Sequence, residues 1–200
     1  MSQYTSLNWS AAYQASPQVK PFVSTKLAAQ PLAKWSDPAM LVSDSLVSNR
    51  PVHVHTSTLL KHADAIMDGT RSRYALVLDL DDALVGVLAL RDLHGRKAVQ
   101  KAHELDLAHA DLTVDYLMTP IQRLPVVSQR QLEQAQIGDV VATLQNSGHD
   151  FLLVQHQGKL VALVASLNIA ERTGESVQVR HHADSFAELL YVLKHHDDVD

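Results

Sequence analysis

The sequence predicts an α/β protein made of two copies of one small unit, and three observations carry that reading. The string VGVLALRDL, Val85 to Leu93, is echoed 76 positions later by VALVASLNI, Val161 to Ile169, in its order of apolar and polar residues more than in identity. A similar order at a fixed interval marks one supersecondary unit used twice. Both strings close a β-rich hairpin pattern that follows a helical pattern and precedes another helix. Finally, 200 residues with 46% apolar content can fill one or two cores, whereas a lone unit of this size would be marginal.

Residues 1–39 mix Pro, Ser, Gln and Ala without a sustained period, which predicts a mostly irregular arm. Its apolar beads Trp9, Tyr13, Phe22 and Trp35 suit partial docking on the body. The first unit is expected over 40–108. Leu60, Ala63, Ile66 and Met67 lie at helical spacing with Gly69 as a stop, YALVLDLDDALVGVLAL reads as a hairpin, and Asp92 opens the next helix. The second unit, 109–174, repeats this. IGDVVATLQNSG is a helix stopped by Gly148, FLLVQHQGKLVALVAS is a hairpin, and a helix begins near Asn168.

A lead-in segment precedes each unit: VSDSLVSNRPVHV and VDYLMTPIQRLPVV. Matching them by layout sets Val42, Asp44, Leu46, Val47 and Ser48 beside Val114, Asp115, Leu117, Met118 and Thr119. Pro51 and Pro120 favour extended backbone there. Residues 175–200 form a tail in which SFAELLYVLKHH reads as an amphipathic helix, with Ser185 and Glu188 as a capping box.

The formal net charge of -5 and pI near 6.1 argue against a nucleic-acid binder, since a phosphate backbone is held by clustered Lys and Arg. The longest apolar run is far below the ~18 to 20 residues of a membrane span. No secretory signal pattern opens the chain, and with no cysteine there are no disulfides or thiolate metal sites. A cytoplasmic protein is expected.

VDYLMTP, then a helix, a hairpin and a closing G-h-x-T/S-x-x-D/N string, resembles the CBS domain, and two in tandem resemble a Bateman module. The likeness covers about residues 40–174. It implies two βαββα units packed sheet to sheet about a pseudo-twofold axis, with a cleft on each side. It further implies a sensor of an adenosine-containing ligand that pairs into a homodimer. No cofactor is required; AMP, ADP, ATP or S-adenosylmethionine are the regulatory ligands implied.

Within that frame, Asp92 offers two oxygens to a ribose diol. As an ordinary residue of a helix start, it would instead cap free amides. Asn168 stands at the matching place with one acceptor oxygen. The usual Thr or Ser of the string is Ala89 and Ala165, which removes a neutral hydrogen bond worth about 0.5 to 1.5 kcal/mol at each site. Ser166, one place late, is not expected to substitute. Gly86 survives in the first string and becomes Ala162 in the second, so the first site is favoured. Thr119 and Ser48 are expected near a ribose or base edge, serving either their own unit or its neighbour. Arg50, Arg91, Arg123 and Arg172 are candidates for phosphate, with solvated surface charge as the alternative; Arg96 and Lys97 lie nearby.

Of the 12 histidines, His53 and His55 share a strand face that suits two zinc ligands, but no third ligand has obvious spacing. The pairs His181-His182 and His195-His196 read as surface residues. No nucleophile elbow, P-loop or H-E-x-x-H is present. The expectation is a stand-alone, non-enzymatic regulatory module acting through a dimer or an effector protein, without nucleic acid or membrane. The alternatives are a ligand-free interaction scaffold with degenerate sites, and an enzyme or metal binder.

Overall fold

The computed structural model describes residues 4–11, 32–47 and 51–179. The predicted tail helix, Tyr13, Phe22, Ser48, Arg50 and the four paired histidines lie outside them. The lead-in β2 (Ser43–Ser45) follows a 3-10 turn over Ala39–Val42. The first unit then runs β3 (His53–His55), α1 (Leu60–Thr70), β4 (Tyr74–Leu78), β5 (Leu84–Ala89), α2 (Leu90–His94) and α3 (Arg96–Leu105). The second lead-in carries β6 (Thr119–Pro120), and the second unit follows as β7 (Pro125–Ser128), α4 (Gln129–Gln134), α5 (Ile137–Ser147), β8 (Phe151–His156), β9 (Lys159–Ala165) and α6 (Ser166–Thr173). A two-residue strand near the start, β1 (Ser10–Ala11), completes the set.

Within each unit the first strand pairs parallel with the second across a helix, and the second pairs antiparallel with the third. A parallel neighbour needs a crossover of about a dozen residues or more, and α1 and the α4–α5 pair supply it. The sheets are ordered β3-β4-β5-β6 and β1-β7-β8-β9-β2. Each lead-in therefore closes the sheet of the other unit: β2, ahead of the first unit, pairs with β9, while β6 pairs with β5.

Side chains alternate across each strand. Tyr74, Leu76 and Leu78 of β4 join Phe151 and Leu153 of β8 in a core between the sheets. Ala75 and Val77 face α1 in a second core, and Leu152 and Val154 face α5 in a third. The result is two sheets face to face with helices outside. Carried through the hairpins, the 76-residue interval predicts that they pack together through Leu76, Val77, Leu152 and Leu153; Leu76 and Leu153 do meet, whereas Val77 and Leu152 point away from each other.

Strand register explains the error. Val77 lies opposite Gly86 and Val154 opposite Ala162, so β5 and β9 are 76 apart while β4 and β8 are 77 apart. The turn after β4 is one residue longer, and Leu76 corresponds to Leu153. A similar correction applies to the lead-ins. Thr119 lies opposite Val87 and Asp44 opposite Leu163, which are 76 apart, so the counterpart of Thr119 is Asp44 and not Ser48.

Two helix boundaries also differ from expectation. Gly69 lies inside α1, which ends in a left-handed Arg71. The helix expected to open at Asp92 begins at Leu90 with Ala89 as N-cap, then breaks at Gly95 before α3. The stop at Gly148 is as read. Much of the arm's described part docks: Leu7 and Trp35 pack on the α5 side, together with Val177 and Val179 from beyond α6.

Candidate functional site

The two cleft positions are built alike and finished differently. On each side a central strand, β5 or β9, runs directly into a helix whose third residue is the acidic or amide group, Asp92 or Asn168. Beside that strand lies the lead-in strand with Thr119 or Asp44. Gly86 with Thr119, Asp92 and Arg91 thus forms one set, and Ala162 with Asp44 and Asn168 the other.

The Asn168 side is closed by its own hydrogen bonds. Asn168 Nδ2 donates to Asp44 Oδ2 at 2.5 Å, and the Tyr74 hydroxyl, from the first unit, donates to that same oxygen at 2.5 Å. Both bonds have a carboxylate acceptor, the stronger kind. Burial first, then the Asp44 charge and hydrogen bond, holds the Tyr74 phenol well above its usual pKa of 10.0. The phenol stays neutral and keeps donating.

The Asp92 side lacks these groups. The counterpart of Tyr74 is Phe151, with no hydroxyl, and the counterpart of Asp44 is Thr119. Asp92 lies 3.9 Å from Arg91 Nε and keeps 22% of its side-chain exposure. Among the described residues no hydrogen bond fixes its carboxylate. The capping role is not taken up, because Ala89 occupies the N-cap place.

Ala89 and Ala165 have a structural reason. Ala89 lies opposite Tyr74 and Ala165 opposite Phe151, and the two rings meet edge to face at 5.8 Å and 64°. Both alanines are buried in the core between the sheets, where a small side chain makes room for the aromatic pair. Gly86 also has a packing reason. A Cβ there would lie 2.6 Å from Met118 Sδ and 3.1 Å from the Thr119 carbonyl oxygen.

The candidate cations among the described residues are engaged. Arg91 forms an ion pair with the buried Asp150 at the start of the second hairpin, tying the units together. Ser166 Oγ donates to the other Asp150 oxygen at 2.7 Å, so the serine one place late holds this bridge. Lys97 Nζ donates to the Leu117 carbonyl at 2.7 Å. Arg96, Arg123 and Arg172 each have interactions of their own. His55 Nδ1 bonds the Asp79 carbonyl oxygen, and no cluster of three metal-ligating side chains occurs among the described residues.

Tyr74, Asp44 and Asp150 are the residues that sequence reading missed. A polar group at an inward strand position needs a partner, and Tyr74 opposite Phe151 would have signalled one had the hairpins been aligned at 77.

Two units of this strand order, sheet against sheet with exchanged lead-in strands, define a tandem CBS-domain fold. The chain is similar to several solved structures. An uncharacterized conserved protein from Pyrococcus horikoshii aligns at TM-score 0.51 and 16% identity over 74% of this chain and 99% of that one. A CBS-domain-containing protein from Agrobacterium tumefaciens aligns at 0.46 and 15% over 61% and 83%, and a conserved CBS-domain protein from Thermoplasma acidophilum at 0.45 and 19% over 74% and 72%. No family profile and no curated protein matches the chain. Among the described residues no helix is long and apolar enough to cross a membrane.

Proposed function

We propose that the chain is a non-catalytic regulatory module with one ligand side and one closed side. The ligand side is that of Asp92, where an adenosine-containing compound presents its ribose diol to the carboxylate, beside Thr119. The observation that carries the reading is the difference between the two acidic or amide groups. Asn168 is spent on Asp44, whereas Asp92 has no hydrogen bond from a described residue. Arg91 and Lys97 are committed to Asp150 and Leu117, which favours adenosine or AMP over ATP. A thermal-shift screen with AMP, ADP, ATP, S-adenosylmethionine and NAD tests this. AMP at about 100 times its dissociation constant should stabilise the fold by about 2.7 kcal/mol.

A second reading, the interaction scaffold, is favoured by Ala89 and Ala165, whose side chains serve the core between the sheets. A screen in which none of the five compounds raises the melting temperature selects it.

A further inference from the structure

Asp150 is a buried acid of the second unit that the ligand reading of the Asp92 side leaves without a role of its own. It stands just ahead of β8 and is 7% exposed. Ser166 Oγ donates to its Oδ1 at 2.7 Å, and Arg91 of the first unit pairs with its Oδ2. A carboxylate taken out of water is kept charged by such partners, and here one of them comes from the other unit.

The repeat places this acid in the wall of the Asp92 side. The Leu90 amide donates to the Arg73 carbonyl at 2.9 Å, and the Ser166 amide to the Asp150 carbonyl at 2.8 Å. These are one bond of the fold formed twice, so Arg73 corresponds to Asp150 and Leu90 to Ser166, as the strand registers of the two hairpins require. Tyr74, next to Arg73, reaches across to the oxygen that Asn168 holds. Asp150, next to Phe151, takes the corresponding position toward Asp92, and Arg91 makes the connection: its Nε lies 3.9 Å from Asp92 Oδ1 while its Nη2 meets Asp150. On the Asn168 side the counterparts of Asp150 and Arg91 are the exposed Arg73 and Leu167, which cannot form this pair.

We infer, resting on the reading of the Asp92 side as the ligand side, that Asp150 is a specificity-determining residue of that side: by holding Arg91 it favours nucleosides and monophosphates and disfavours polyphosphates. Asp92 and Asp150 set two carboxylates around one guanidinium. A ribose diol donates to Asp92 and has no need of Arg91. A polyphosphate meets two carboxylates and a cation that is already paired, and discrimination of this kind works by repulsion as much as by attraction. Ser166 fixes the carboxylate that does the holding, which gives the serine one place late in its string a part in selectivity.

The test is calorimetric titration with adenosine and with ATP, in the absence of divalent metal, of the full-length parent, Asp150→Asn and Asp150→Asn/Arg91→Leu proteins. Asn keeps the shape of the side chain and an oxygen for Ser166, and removes the charge that holds Arg91. The expected result for Asp150→Asn is adenosine affinity within about twofold of the parent and ATP affinity raised about tenfold, the scale of one charge-assisted bond to phosphate. Adding Arg91→Leu should abolish that gain. A merely structural role for Asp150 would lower the melting temperature and leave the ratio of the two affinities unmoved. An unchanged ratio in a variant that still binds adenosine overturns the role of Asp150 and leaves the Asp92 site standing, as does a gain that persists without Arg91. A parent protein that binds neither compound overturns the reading of the Asp92 side and this inference with it. Should Asp150→Asn fail to fold, Ser166→Ala carries the test, because it keeps both charges and removes only the bond that fixes Asp150. It should raise the ATP-to-adenosine affinity ratio about twofold, and no shift in the folded variant overturns the inference.

Discussion

Replacing Tyr74 by Phe removes one oxygen from a side chain that is otherwise matched by Phe151. The ring keeps its packing against Phe151, so the change reads the hydroxyl alone. That hydroxyl donates to Asp44 at 2.5 Å, and a hydrogen bond to a charged group is worth about 1.5 to 3 kcal/mol. Asp44 is half-buried and retains its bond from Asn168, which places the loss at or just below the lower end of that range, about 1 to 2 kcal/mol. For a chain of this size that is about 2 to 8 °C in melting temperature. Urea unfolding at pH 7 is the assay, with an unchanged m-value as the sign that only native stability moved. The pH dependence gives a second readout. The folded phenol is pushed above 10.0, so its contribution is complete below the unfolded value and is lost as pH rises through the higher folded one. The gap between parent and Tyr74→Phe should be constant from neutral pH to about 10 and close above it. Equal stability of the two proteins at pH 7 would refute the closed network.

Gly86→Ala should cost about 1 to 3 kcal/mol through overpacking against Met118, and Met118→Ala in the same chain should recover part of it; full stability of the single variant would show that the contact is absent. Arg91→Ala and Asp150→Ala, measured singly and together by urea unfolding, should show a coupling of about 1 to 2 kcal/mol, reduced from the buried-pair range because Arg91 is 46% exposed. A coupling of zero would mean that no bridge ties the units. The apolar helix surface of the first unit, with Val99 64% and Ile66 40% exposed, is expected to pair in a homodimer. Sedimentation equilibrium should give twice the 22.0 kDa chain mass, with only the single-chain mass at micromolar concentration as the contrary result.

The repeat was legible because apolar order survives when identity does not, and Val85 to Ile169 carries that order twice. It showed the hairpins, the helices around them and the places of Gly86, Asp92 and Asn168. It did not show which face of a strand met which. A one-residue difference in a turn moves every side chain of a strand to the opposite face, and the longer turn after β4 therefore misdirected Leu152 and Val77. The lead-in segments were harder. They are short and pair with the other unit's sheet, and no local pattern reports a partner such as that of β2, more than a hundred residues away. Asp44 was thus set beside Asp115 although its place in the fold is that of Thr119. Arg91 read as a phosphate ligand because its partner, Asp150, lies in the other half of the sequence.

Calorimetric titration of the parent, Asp92→Asn and Asn168→Ala proteins with AMP tests the central claim, that the Asp92 side takes the ligand while the Asn168 side is closed. The account predicts one AMP per chain for the parent, loss of most binding in Asp92→Asn, and little change in Asn168→Ala. Binding abolished by Asn168→Ala and untouched by Asp92→Asn would contradict it.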